Sequence, residues 1–209
     1  MQALVLKRRD WREHDQMISL LTAEKGKVEA LAKGVKKIVS KNAAYLEPYF
    51  LVEAELIPGK DFFRLGAVVP VQTFKNICAD LFKNLLVGYQ TKLLDSLLQL
   101  ELPELKIFKL TMSWLNYLDK TKKSDLILLD AFVIKLLFFL GFDITKVKKL
   151  SASQKEQLAY LLKSKWNQIK AYKNYKALHT LVYRFAVYHS EKKLADWQNL
   201  LTLAKYSIN

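Results

Sequence analysis

The hydrophobic period of the chain changes near residue 73. Before that point apolar residues alternate with polar ones in short runs. Val28, Ala30 and Ala32 fall on one side while Lys27, Glu29 and Lys33 fall on the other, the period-2 pattern of a half-buried strand. Phe50, Val52, Ala54 and Leu56 repeat it against Tyr49, Glu53 and Glu55. Five strands are predicted, at residues 2–9, 15–23, 26–34, 46–57 and 61–70. Glu24-Lys25-Gly26-Lys27 marks a tight turn, and Pro58-Gly59 marks another, because proline presets φ and glycine accepts positive φ. The polar, basic stretch from Val35 to Ala44 is predicted as the longest loop of this half.

Beyond residue 73 the period is that of helices. Leu81, Leu85, Leu86, Tyr89, Leu93, Leu94, Leu97 and Leu98 form one stripe, and Pro103 ends it. A second stripe holds Leu105, Phe108, Trp114, Leu115 and Leu118. Leu126 to Phe142 is nearly all apolar, and Gly141 closes it. Asp130 and Lys135 interrupt that run, so it reads as a buried core helix; a membrane span needs about 20 predominantly apolar residues. Ser153 with Glu156 is read as a capping box opening a further helix. Two more are predicted, around Leu178, Leu181, Val182 and Phe185, and around Leu194, Trp197, Leu200 and Leu201. The expected architecture is α+β: a small barrel over residues 1–73, then an all-α domain over 74–209. The OB-fold is the commonest small barrel that handles oligonucleotides, but SH3-like barrels have similar lengths, and strand count alone does not choose between them.

Composition narrows the function classes. With 51% hydrophobic and 26% charged residues the chain is globular rather than disordered. Cys78 is the only cysteine, which excludes an intramolecular disulfide and Cys-rich zinc sites. His14, His179 and His189 lack metal-ligand spacing, so no metal and no cofactor is expected. No GxSxG elbow and no glycine-rich phosphate loop occurs, and Glu53 with Glu55 reads as two solvated strand residues; no enzyme is expected. The opening apolar run is too short for a signal peptide.

The formal charge of +14 changes the picture most, because it favours anionic partners. Lys7, Arg8, Arg9 and Arg12 cluster on the first strand and its exit, and Lys33, Lys36, Lys37 and Lys41 cluster after the third. Brought to one side of a barrel, they would track a phosphate backbone. Lys27 is counted with them, and Trp11, between Arg9 and Arg12, is the best stacking candidate. Residues 1–80 carry 13 basic and 10 acidic side chains, a net of +3, whereas residues 81–209 carry 21 and 10, a net of +11. A DNA path is therefore expected to run past the barrel onto the helical part.

Several of these stretches resemble a known family. Val5-Leu6-Lys7-Arg8-Arg9, Glu13-His14-Asp15 and Ile18-Ser19-Leu20-Leu21-Thr22 look like the opening of RecO. Thr22-Ala23-Glu24-Lys25-Gly26-Lys27-Val28, the run Ala32-Lys33-Gly34-Val35-Lys36-Lys37, and Leu46-Glu47-Pro48-Tyr49 are similar to its barrel. Phe132 to Leu137 with Leu140-Gly141-Phe142 resembles its central helix, and Tyr183 to Leu200 resembles its closing segment. The resemblance implies an N-terminal OB-fold and a C-terminal helical domain. It also implies a cytoplasmic, nucleoid-associated mediator of DNA repair that binds single- and double-stranded DNA and anneals strands. Such a mediator works with RecR and the RecF pathway to load recombinase onto strands coated by single-stranded DNA-binding protein (SSB). In place of the four-cysteine zinc module of many members, residues 143–154 contain no cysteine and carry Lys146-Val147-Lys148-Lys149, which implies a member without zinc. The acidic, aromatic-ended SSB tail is expected on the helical domain, with Lys135 as its candidate residue, and the protein is expected to be a monomer on its own. The competing readings are an RNA-binding OB module, a protein-interaction scaffold whose charge serves solubility, and, more remotely, a nuclease.

Overall fold

Alternation over the first 72 residues closes a five-stranded barrel: β1 (Gln2–Asp10), β2 (Gln16–Thr22), β3 (Gly26–Ala32), β4 (Leu51–Ile57) and β5 (Phe63–Gln72). The computed structural model describes residues 1–122, 124–170 and 175–190. The strands run in the order β1-β2-β3-β5-β4, and β4 returns to β1. Only the β3–β5 pairing is parallel among them. This is an OB-fold barrel followed by a helical domain.

Ala3, Val5, Ile18, Leu20, Val28, Ala30, Val52 and Ala54 fill the barrel interior. On the opposite face Leu4, Leu6, Leu21 and Leu51 join the core of the helices. Both faces of β1 are therefore covered, which is why Ala-Leu-Val-Leu is apolar at every position instead of alternating. Burying a leucine completely contributes roughly 1.5–3 kcal/mol, so this shared face fixes the barrel firmly against the helices.

β4 is shorter than its pattern predicts. Residues 46–50 do not extend it: Ala43–Tyr45 form a 3₁₀ turn, and Tyr49 has φ 60°. Pro48 lacks the N–H a ladder needs, so the chain turns and docks on β1 instead, where Val5 N–H donates to the Phe50 carbonyl at 3.0 Å. A register shift in β1 between Val5 and Lys7 sits beside this turn. Gly26, at the β2–β3 turn with φ 66°, admits no side chain, because a Cβ there would lie 1.9 Å from the Leu102 carbonyl oxygen.

The helices are α1 (Lys75–Ala79), α2 (Leu81–Leu97), α3 (Leu105–Lys120), α4 (Leu126–Phe139), α5 (Ala152–Lys163) and α6 (Tyr175–Tyr188). α4 is the hub, with eleven of its residues buried, and Trp114 of α3 donates to the Leu128 carbonyl at 3.0 Å. Its one buried carboxylate, Asp130, accepts hydrogen bonds from Tyr175 Oη and faces His179 Nδ1 at 3.0 Å, both from α6. Leu81, placed on the core stripe by periodicity, is instead 71% exposed, at the first residue of α2. The capping box at α5 is Ser151 with Gln154, not Ser153 with Glu156. Ser151 has the extended backbone of a cap, and its hydroxyl accepts from Gln154 N–H at 3.2 Å while Gln154 Oε1 accepts from Ser151 N–H at 3.0 Å. Residues 143–151 make only a short 3₁₀ turn, Ile144–Lys146, capped by Asp143. The stripe at 194–201 lies outside the described residues. No helix among the described residues is long and apolar enough to cross a membrane.

Candidate nucleic-acid interface

The two basic clusters meet on one side of the barrel, because the segment after β3 is tied to the β1–β2 turn. Asp15 Oδ1 accepts from Gly34 N–H at 2.7 Å, and the His14 carbonyl accepts from Lys36 N–H at 3.0 Å. Lys36 Nζ completes the tie with an ion pair to Asp10 at 2.9 Å. Hydrogen bonds from Gln16 and Lys36 hold the Asp10 carboxyl below its ordinary range, so this clasp stays charged at neutral pH. Val35 is buried beneath the loop and anchors it.

Four of the predicted contacts, Arg12, Lys33, Lys37 and Lys41, are exposed and have no carboxylate within 4 Å among the described residues. Four others are exposed but paired: Lys7 with Asp95 at 3.6 Å, Arg8 with Glu47 at 2.8 Å, Arg9 with Glu29 at 3.2 Å, and Lys36 with Asp10. Their partners come from β3, α2, the turn before β4 and β1 itself, and no spacing rule along the chain links them. Trp11 lies at the β1–β2 turn, where its N–H donates to the Asp15 carbonyl at 3.1 Å. Its ring is 40% exposed, rests edge-on against Phe62 at 5.6 Å, and lies 5.4 Å from the Arg9 guanidinium carbon. Ile38 and Val39 are almost wholly exposed at the loop tip, a feature visible in the sequence as an apolar pair between lysines.

Lys27 is corrected by the structure: it is buried and takes no part in this face. Its ammonium pairs with Asp95 of α2 at 3.1 Å and also donates to the Asp95 and Leu98 carbonyls at the C-terminal end of that helix. Burial alone would raise the Asp95 pKa, but Lys27, the Ser19 hydroxyl at 2.9 Å and Lys7 outweigh it and hold the carboxyl below its ordinary range. The group is a buried clasp between β2, β3 and α2.

Lys135 sits in the wall of a groove of about 760 Å³ between α3, α4 and the segment after α5. Phe138 and Phe139 are exposed there, and Lys163 and Lys165 stand at its rim. The Lys135 ammonium donates to the Leu162 and Ser164 carbonyls and lies 5.2 Å from the Trp166 ring centre. Burial pushes its pKa down. Among the described residues no three His, Cys, Asp or Glu side chains converge as metal ligands.

Comparison with known proteins agrees with this architecture. The family described as Recombination protein O N terminal matches residues 1–74, and that described as Recombination protein O C terminal matches residues 78–145. A DNA repair protein RecO of Symbiobacterium thermophilum is 31% identical over 139 residues, which is 66% of this chain and 55% of that protein. Its namesake in Geobacter metallireducens is 33% identical over 119 residues, 57% of this chain and 49% of that protein. The Clostridium perfringens relative is 30% identical over 139 residues, 66% of this chain and 56% of that protein. The matched part thus spans about half the length of these curated relatives. Barrel and helices both carry the match, and the chain belongs to the RecO family of recombination proteins.

Proposed function

We propose that this protein binds single-stranded DNA on the barrel face around Trp11 and anneals complementary strands during DNA repair and recombination. The observation that carries the reading is the tie of the loop bearing Lys33 and Lys37 to the β1–β2 turn that bears Trp11 and Arg12 on an OB-fold barrel, with these cations and Lys41 exposed and without a carboxylate within 4 Å among the described residues. Unpaired cations neutralise phosphates, releasing their counterions, and the indole offers a face on which a base can stack regardless of its identity. Lys7, Arg8, Arg9 and Lys36 must exchange a carboxylate for a phosphate, so they contribute less. Arginines and lysines distributed along the face and onto the helices lower the repulsion between two strands held together, or between strand and duplex. The chemistry is binding, without bond making or breaking.

The relatives named DNA repair protein RecO direct the reading to DNA rather than RNA. The family resemblance adds RecR and the RecF pathway as partners, loading of recombinase onto SSB-coated strands as the outcome, and the cytoplasmic nucleoid as the setting. For the SSB tail, which is acidic and ends in an aromatic residue, the groove at Lys135 offers Phe138 and Phe139 as an apolar wall and Lys163 and Lys165 as exposed cations. Lys135 itself, engaged with two carbonyls, shapes the wall more than it binds carboxylates.

The direct test is annealing of complementary oligonucleotides, bare and coated with SSB, with structured RNA as competitor. Acceleration of both reactions, resistant to RNA, is expected. No acceleration, or equal inhibition by RNA, favours the RNA-binding alternative.

A further inference from the structure

A cleft beside the barrel face opens where β1 parts from the chain leading into β4. Beyond Val5, which still exchanges backbone hydrogen bonds with Tyr49 and Phe50, β1 loses this neighbour, because the chain before β4 makes its turn at Pro48 and Tyr49. α2 lies across the opening. Leu6, Lys7, Arg8 and Pro48 form one wall, Gly88 and Lys92 stand on the other, and the enclosed volume is about 390 Å³.

Gly88 is the odd residue here. It occupies the middle of α2, a 17-residue helix, where glycine costs about 1 kcal/mol relative to alanine. Packing does not demand it: a Cβ built at Gly88 meets no heavy atom within 4 Å. A side chain there would stand in the open space of the cleft that Gly88 lines. The helix thus gives up stability at the one point where doing so keeps this cavity open.

The walls are amphipathic in a particular way. Leu6, Pro48 and Leu93 are apolar, while Lys7, Arg8 and Lys92 supply three cations; Lys7 shares Asp95 with Lys27, Arg8 would exchange Glu47 for a phosphate, and Lys92 is already available. Lys92 is exposed and has no carboxylate within 4 Å among the described residues. A flat apolar group attached to an anion satisfies such a cleft, and a nucleotide is that group. Lys7 lines this cleft and also a small adjoining pocket with Arg9, whose guanidinium carbon lies 5.4 Å from the Trp11 ring, so the cleft continues the barrel face along β1.

We propose that the cleft between β1 and α2 is a base slot of the single-strand path, in which one nucleobase lies over Gly88 while its phosphates meet Lys7, Arg8 and Lys92. The proposal rests on single-stranded DNA binding by the barrel face and assigns it a second, base-holding site on the way to the helical domain.

The test compares wild type, G88A and G88L by fluorescence anisotropy on a short oligothymidylate and on an abasic backbone of equal length. G88A is expected to melt higher than wild type, since it restores helix propensity. G88L is expected to bind oligothymidylate about tenfold more weakly, the size of one lost base-stacking contact, and to bind the abasic strand as wild type does. A folded G88L that binds both strands like wild type, or loses both equally, overturns the base slot while leaving strand binding intact. Wild type that binds neither strand overturns strand binding itself, and the slot with it. Should G88L melt below wild type, photocrosslinking of a 5-iodouracil oligonucleotide to the wild-type chain decides. Crosslinks in the α2 peptide that carries Gly88 support the slot, and crosslinks confined to β1 and the rest of the barrel overturn it.

Discussion

Lys27 and Lys37 both stand in basic stretches of the barrel sequence, yet they have opposite fates. Lys37 projects from a loop held at its base by Asp15 and Asp10, whereas Lys27 is drawn under α2 by Asp95, 68 residues away in the chain. Only folding brings that carboxylate near, so local sequence could not separate a phosphate contact from a clasp. K27A is expected to destabilise the protein by about 1.5–3 kcal/mol, the range for losing hydrogen bonds to a charged group, since Asp95 keeps Ser19 and Lys7, with no change in the salt dependence of DNA binding. Urea unfolding and a salt titration of the same variant check both parts. Asp95 gives the clasp a pH dependence. Its folded pKa lies below the ordinary value of 3.8, so its contribution to stability is present above that value and is lost as pH falls through the folded one. The stability difference between wild type and D95N is therefore expected to shrink as pH drops from neutrality to below 3.8, and a difference that grows on acidification contradicts the clasp. Trp11 belongs to the same scale: W11A is expected to weaken single-strand binding by about 1–3 kcal/mol and W11F by much less, with little effect on the melting temperature.

At the scale of elements, legibility followed how many faces of each segment are buried. β3 has one face in the barrel, and Val28, Ala30 and Ala32 were readable by alternation. β1 is covered on both sides, so its run names a buried segment without saying which leucines meet the helices. The stretch 46–50 keeps a strand's alternation but turns at Pro48 and Tyr49, and only the pairing with Val5 reveals why. Periodicity likewise overran the end of α2. Leu98 already caps the helix, ahead of the proline that was read as its stop. α4 shows the largest gap between pattern and structure, since Asp130 looks like a flaw in an apolar run. It is the acceptor that holds α6, through Tyr175 Oη and His179 Nδ1, and burial pushes its pKa up. D130A leaves the buried His179 and the partly buried Tyr175 without that acceptor and is expected to cost more than the roughly 1.5–3 kcal/mol typical of one lost hydrogen bond to a charged group. D130N, which keeps one acceptor oxygen, is expected to cost less; thermal melts of the two variants rank them.

For the whole molecule the question is where the charge of +14 meets an anion. Counted along the chain, most of the excess lies beyond residue 80, and only the fold shows that ion pairs engage five of the nine predicted barrel cations, while the other four stand on the β1–β2 turn and the loop tied to it. Arg12, Lys33, Lys37 and Lys41 are therefore the cations whose removal should matter most to strand binding. Each cation that neutralises a single-strand phosphate contributes roughly 0.7 to the slope of log affinity against log salt. The decisive measurement is a salt titration of single-strand binding by wild type and by the R12A/K33A/K37A/K41A variant on unstructured oligonucleotides, with melting curves as the control for folding. A slope reduced by about 3, alike for different base sequences, is the expected result. An unchanged slope in a folded quadruple variant contradicts strand binding on the barrel face.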